Sequence, residues 1–329
     1  MLGFAPIREE CHEKITIAAA ALICSFVTAG AQDYPNAPVR LISGFPAGST
    51  ADISARVVGA KMGQILGQQF VVENRLGAAS SIAGAQAARA PADGYTLFIS
   101  SAANMINAAM STTLTFDIMK DFVPITLITS TPTVLAVISE IGVKSVKELT
   151  ALAKEKPDTL SFGSSGTGSS THLALELYKS LAKVKITHVP YTGSPQVITD
   201  MLAGRIHGYF SPASTVAGHV AAGKLVALGI TDAKRSVFFP NLPTMIESGV
   251  PDCESVLWFG ISAPAGTPQP IIDKLSRAAN EALKSDDVAK SLQGQTVMAM
   301  GGTPEQFRKH MEAEQKRWNA VVEAAGLRK

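Results

Sequence analysis

The chain has 329 residues with a formal charge of +2 and no basic block, which excludes an electrostatic footprint for nucleic acid. Hydrophobic residues make up 46% at a mean hydropathy of +0.19, enough for two ordinary cores. Three cysteines, Cys11, Cys24 and Cys253, form no C-x-x-C pair, which excludes that kind of metal or redox centre.

In chain order, Ile15 to Val27 is apolar apart from Thr16, Cys24 and Ser25, too short to span a bilayer comfortably. Ala29-Gly30-Ala31 supplies a small-x-small cleavage pattern, so residues 1–31 are expected to be an export signal and the mature chain to begin at Gln32. Glu9, Glu10 and Glu13 stand beside Arg8 and Lys14, acids unusual in such a segment and consistent with a start codon further in. Ile23 before Cys24 argues against a lipoprotein signal. Without residues 1–31 the charge becomes +3, and Cys253 alone remains, so no intramolecular disulfide forms. No later run reaches the ~18 apolar residues of a membrane span.

Val39–Ser43 reads as a strand and leads into the loop Gly44-Phe-Pro-Ala-Gly-Ser-Thr-Ala-Asp52. Ile53, Val57, Val58, Met62 and Ile65 then recur at helical spacing up to Gly67. Phe70–Arg75 is a second strand, Ile82–Ala90 an Ala-rich helix, Pro91–Gly94 a turn and Thr96–Ser100 a third strand. This alternation predicts a parallel sheet with helices on both faces.

A second set opens near Pro132 with a strand over Thr133–Ile138. Ser145-Val-Lys-Glu148 is a capping box for a helix that stops before Pro157. Leu160–Phe162 leads into a second loop, Gly163-Ser-Ser-Gly-Thr-Gly-Ser-Ser-Thr171, with a helix over Thr171–Leu181. Ile186–Val189, Gly208–Ser211 and Leu225–Ile230 read as strands, with a helix over Val197–Ala203. Leu257–Ser262 is a strand returning to the first set. Thr267-Pro268 and Thr303-Pro304 each place an N-cap hydroxyl before a first-turn proline, and the last helix runs from Pro304 to about Ala325. The expected fold class is α/β in two lobes, 32–131 with 256–329 and 132–255, joined by two chain crossings that imply a hinge and a cleft.

Each Gly/Ser/Thr loop is a strand-to-helix turn, where unpaired amides and the positive end of a helix dipole face outward. Two such turns suggest half-sites on one small anion. The second loop lacks the third Gly and the acid of a dinucleotide fingerprint, the final Gly of a nucleophile elbow and a Walker lysine, which leaves an anion nest. Ser164, Ser165, Gly166, Thr167 and Ser169 are its expected donors. Ser49 and Thr50 face them from the first loop, with Phe45 and Ala47 beside them. Asp52 would repel an anion and is assigned to holding the loop and capping the helix. Ser101 and Asn104, with Asn107, are expected at the cleft edge, and Thr192 and Phe210 complete the pocket. Tyr191 is expected to line it and to offer its hydroxyl.

Other residues carry simpler readings. His172 is expected to be structural, and His188, His207 and His219 share no metal-ligand spacing with it. Arg56 and Arg75 are expected in surface ion pairs, and Trp258 and Phe259 in hinge packing. No acid, base and nucleophile sit at supporting positions, so no enzyme and no cofactor are expected.

Phe45-Pro-Ala-Gly-Ser-Thr-Ala-Asp52, Val72-Glu-Asn-Arg75 with Gly77-Ala78, and Ala92-Asp-Gly-Tyr-Thr-Leu97 occur in that order. Val189-Pro-Tyr-Thr-Gly193, Leu242-Pro-Thr244 with Glu247-Ser-Gly249, Trp258-Phe-Gly260 and Ala263-Pro-Ala-Gly-Thr-Pro268 follow. Together they resemble the Bug receptors, the extracytoplasmic solute-binding proteins of tripartite tricarboxylate transport systems. The resemblance implies a two-lobed periplasmic-binding-protein fold of the Venus-flytrap kind, closing on a carboxylate-bearing solute. It also implies delivery to membrane permease subunits, with a two-component sensor as the alternative output, and a periplasmic, monomeric protein that binds no nucleic acid. Three positions depart from the family pattern: Ser49-Thr50-Ala51 displaces a hydroxyl before Asp52, Leu76 replaces a proline, and Thr192 replaces a cation after Tyr191. The missing cation predicts a preference for one or two carboxylates over three.

Overall fold

The computed structural model describes residues 34–324, together with 326 and 328. The expected export segment lies outside the described residues. Strands β1 (Val39–Ser43), β2 (Phe70–Asn74), β3 (Thr96–Ser101) and β4 (Phe122–Thr131) belong to one sheet. β5 (Thr133–Ile138), β6 (Ser161–Ser164), β7 (Thr187–Pro190), β8 (Gly208–Pro212) and β9 (Leu225–Ile230) form a second. β10 (Leu257–Pro264) and β11 (Met298–Ala299) return to the first, giving six strands in the order β11-β4-β10-β3-β1-β2. The five-stranded sheet runs β7-β6-β8-β5-β9. The chain thus crosses between sheets at Pro132 and again over 231–256.

Helices α1 (Thr50–Leu66) and α8 (Gln269–Lys284) cover one face of the six-stranded sheet, sealing Val58, Met62, Ile272 and Leu275 over Leu41, Leu97 and Ile99. α2 (Ser81–Ala88), α3 (Ala102–Met110) and α10 (Pro304–Ala324) cover the other, around Phe98, Phe122 and Trp258. In the second sheet the pleat divides β5 cleanly. Leu135 and Val137 face α4 (Val146–Glu155) and α5 (Ser170–Ala182), while Val134, Ala136 and Ile138 face α6 (Ser194–Leu202) and α7 (Ala213–Ala221). α9 (Asp286–Gly294) lies between α8 and β11.

Two differences from the sequence reading have physical causes. The first sheet is mixed rather than parallel, because β10 runs antiparallel to both β3 and β4. β4 itself escapes pattern analysis: Pro124 interrupts it, and Thr126, Thr129 and Thr131 are fully buried. Their hydroxyls donate to Gly302 O, Ser54 Oγ and Thr296 O, so polar residues stand where apolar ones were sought. α3 is buried on nearly every side and therefore shows no amphipathic stripe.

Caps follow the sequence more closely. Ser145 Oγ accepts from Glu148 N, and Thr303 Oγ1 from Gln306 N. Thr267 is the exception, since its hydroxyl donates to Pro264 O and leaves Pro268 at the cap position.

Candidate functional site

Four strand ends converge on one cavity of about 420 Å³. β1 is followed by Gly44 and Phe45, β2 by Leu76–Ala79, β6 by Ser165–Thr167, and β7 ends on Pro190 with Tyr191 and Thr192 next. Each pair of strands is parallel and adjacent, one pair from each sheet. Crevices beyond the carboxyl ends of parallel strands are where open α/β sheets bind ligands. None of the twelve lining residues is charged.

The first loop is held by Asp52. Its carboxylate accepts from Gly48 N at 3.0 Å, Asn74 Nδ2 at 2.9 Å and Arg56 Nε at 3.0 Å. Burial pushes this carboxyl upward, but the hydrogen bonds from Arg56, Asn74 and Gly48 outweigh burial and hold it below its ordinary value. Asn74 Nδ2 also donates to Phe45 O at 2.8 Å, and the Phe45 ring stands edge-on to Phe259. Arg56 is consumed by Asp52 and Arg75 by Glu73, so neither cation reaches the cavity lining.

The second loop is internally bonded. Ser164 Oγ meets His188 Nε2 at 2.6 Å, and Ser169 Oγ caps α5 by accepting from His172 N. Ser165 N and Oγ both bond Thr171 Oγ1, while Thr167 is exposed and its hydroxyl has no hydrogen-bond partner among the described residues. His172 and His188 stack with ring centroids 4.0 Å apart behind the loop. Burial first, and then His172, push His188 down to about 4, so it stays neutral near pH 7.

Between the two loops, a third turn supplies a wall that the sequence did not flag. Ala78, Ala79 and Ser80 follow Gly77 with φ of 46°, 47° and 77°, three consecutive non-glycine residues in the left-handed region. Asn107 Nδ2 ties this turn down through Ala78 O, Ala79 O and Ser81 Oγ. The amides of Gly77–Ala79 precede the first turn of α2, so no carbonyl of that helix is available to them. The sequence signal was limited to Gly77-Ala78 after the Glu-Asn-Arg run.

Phe45, Ser165, Gly166, Thr167, Tyr191 and Thr192 all line the cavity, whereas eight other expected residues stand elsewhere. Ser49 Oγ caps α1 by accepting from Asp52 N, and Ala47 sits exposed at the loop tip. Thr50 Oγ1 meets Ser214 Oγ at 2.5 Å, joining the two halves. Ser101 and Asn104 cap α3 against each other and are buried. Ser164 spends its hydroxyl on His188 of β7 and Ser169 on the cap of α5, as above. Phe210 is fully buried in β8, packed 5.6 Å from Tyr178 in the core under α4 and α5, and does not line the cavity. Tyr191 contributes its ring alone: its hydroxyl donates to Asp200 at 2.7 Å.

The profile of the tripartite tricarboxylate transporter family receptor matches residues 54–327. The chain belongs to this family. Protein BugT of Bordetella pertussis is 34% identical to this receptor over 91% of the chain and 92% of BugT. A solved structure from R. palustris with adipate is 36% identical, with a TM-score of 0.86 over 89% of the receptor and 99% of that chain. MatC from Rhodopseudomonas palustris with bound malate is 29% identical, with a TM-score of 0.84 over 88% and 100%. The receptor therefore has the two-lobed periplasmic-binding-protein fold, and its work is solute binding, not catalysis.

Proposed function

We propose that this receptor captures a small mono- or dicarboxylate in the periplasm between lobes 32–131 with 256–329 and 132–255, and hands it to the permease subunits of a tripartite transporter. The observation that carries this reading is the uncharged cavity at four strand ends, lined by turns from both sheets. Backbone N–H groups of Gly44, Gly77–Ala79 and Thr167, with the hydroxyls of Ser165, Thr167 and Thr192, replace the hydration shell of a carboxylate. Phe45, Leu76 and Tyr191 take up its hydrocarbon part. Charge-assisted hydrogen bonds contribute roughly 1.5–3 kcal/mol each where water is excluded. Three or four of them, less association costs, support micromolar affinity. The adipate and malate bound to the two R. palustris relatives are ligands of this class.

Isothermal titration across citrate, malate, succinate and adipate tests the reading. Micromolar binding of a dicarboxylate is expected, with citrate weaker, since no cation in the lining balances its third charge. Citrate as the tightest ligand by tenfold would overturn it.

A further inference from the structure

Ala78 and Thr167 border the cavity on the side of α2. Both residues also line a longer groove of about 840 Å³, which continues along α2. One wall is the helix face carrying Ile82, Ala85 and Arg89, and the other is the segment after α3 with Leu114. The walls are largely apolar, and Ile82 is 54% exposed there, an unusual position for a large aliphatic side chain. At the far end stands Arg89, exposed and with no carboxylate partner among the described residues. By contrast Arg40, Arg56, Arg75, Arg205 and Arg235 each hold a carboxylate. Arg89 is the C-cap residue of α2 and lines the groove one turn beyond Ala85. Eight residues separate Ser81 from Arg89, about 12 Å at the helical rise.

We propose that this groove is a second half of the binding site, and that the receptor prefers an elongated aliphatic α,ω-dicarboxylate, longer than adipate, whose far carboxylate pairs with Arg89. The proposal rests on the reading of the cavity given above, which holds the near carboxylate. The apolar walls shed water from the methylene chain, each buried methylene adding roughly three- to fourfold in affinity. The guanidinium then offers a planar fork matched to a carboxylate. Succinate and malate end inside the cavity and leave Arg89 unused.

Titration calorimetry on the mature chain with succinate, sebacate and sebacate monomethyl ester, repeated on Arg89→Gln, tests this. Sebacate is expected to bind at least tenfold tighter than succinate, and that ratio to fall at least threefold in Arg89→Gln, with the methylene contribution remaining. The monomethyl ester, with one charge removed, is expected to bind both proteins equally. A ratio of one in the unsubstituted chain, or a ratio unchanged by Arg89→Gln, overturns the groove while leaving the cavity reading intact. Binding of no dicarboxylate at all removes the cavity reading, and the groove falls with it.

Discussion

Ala78, Ala79 and Ser80 hold a conformation that costs L residues roughly 1–2 kcal/mol each, so something must hold them there. Asn107 does so with one amide nitrogen shared among three oxygens. Asn107→Ala is therefore expected to lower stability by about 1–3 kcal/mol in urea unfolding. It should also weaken carboxylate binding at least tenfold, and unchanged affinity would show that the turn plays no part in the site. Asp232, just after β9, poses a different question. Its Oδ1 is buried without a partner among the described residues. Burial first, and then the Glu254 charge, push its carboxyl up to about 6 from 3.8. The folded chain thus holds this proton more tightly than the unfolded one, so stability is lost as pH rises from about 4 to about 6 and stays reduced above. Asp232→Asn is expected to gain about 1–2 kcal/mol at pH 7.5 and little at pH 4. Thermal melts at the two values decide it, and equal gains at both would discount the carboxyl. Sequence reasoning foresaw the loop-holding role of Asp52, since a short acid at the start of a helix has local partners. Asn107 reaches back across 26 to 29 residues, a relation that no local pattern encodes.

Among the elements, α10 shows how the last helix is fixed to the strand that brings the chain home. Glu314 Oε2 accepts from Trp258 Nε1 at 2.9 Å and from Trp318 Nε1 at 3.1 Å, joining β10 to α10 in a buried setting. Glu314→Ala strands two buried indole donors and is expected to cost about 2–4 kcal/mol in guanidinium unfolding. Glu314→Gln keeps an acceptor oxygen and should recover at least half of that loss; no recovery would point to charge instead. β1, β3, β5 and β9 were legible because apolar runs between turn residues declare buried strands. α1 was legible through the spacing of its apolar residues and α5 through its place after the second loop, whereas Ser49 and Ser169, expected as ligand donors, cap the two helices. β4, α3 and α7 were not: the first buries hydroxyls, and the two helices offer Ala and small residues without a stripe. The site followed the same division. Loops of Gly, Ser and Thr announced where donors stand, yet which hydroxyls remain available depends on bonds within the second loop.

At the scale of the molecule, the two halves meet through few but close contacts. Leu173 of α5 packs into the core of the six-stranded half, among Met105 and Met110. Thr50 and Ser214 share a hydrogen bond, and Gly168 lies so near Asn107 that a Cβ would stand 2.3 Å from its Oδ1. Gly193 provides the cleanest test of whether this approach matters. A Cβ there would lie 2.3 Å from Pro46 Cγ in the opposite half, against a ring that cannot swing aside. Its φ of 175° is extended, open to any residue, so Gly193→Ala carries no backbone strain within its own half. The clash exists only when the halves meet. Gly193→Ala should accordingly leave the ligand-free melting temperature near that of the unsubstituted chain while weakening dicarboxylate binding at least tenfold. Small-angle scattering should show a smaller contraction on ligand addition than in the unsubstituted chain. Full affinity with full contraction would mean that Pro46 and Gly193 need not touch for the solute to be held, and that water is excluded by the cavity walls alone.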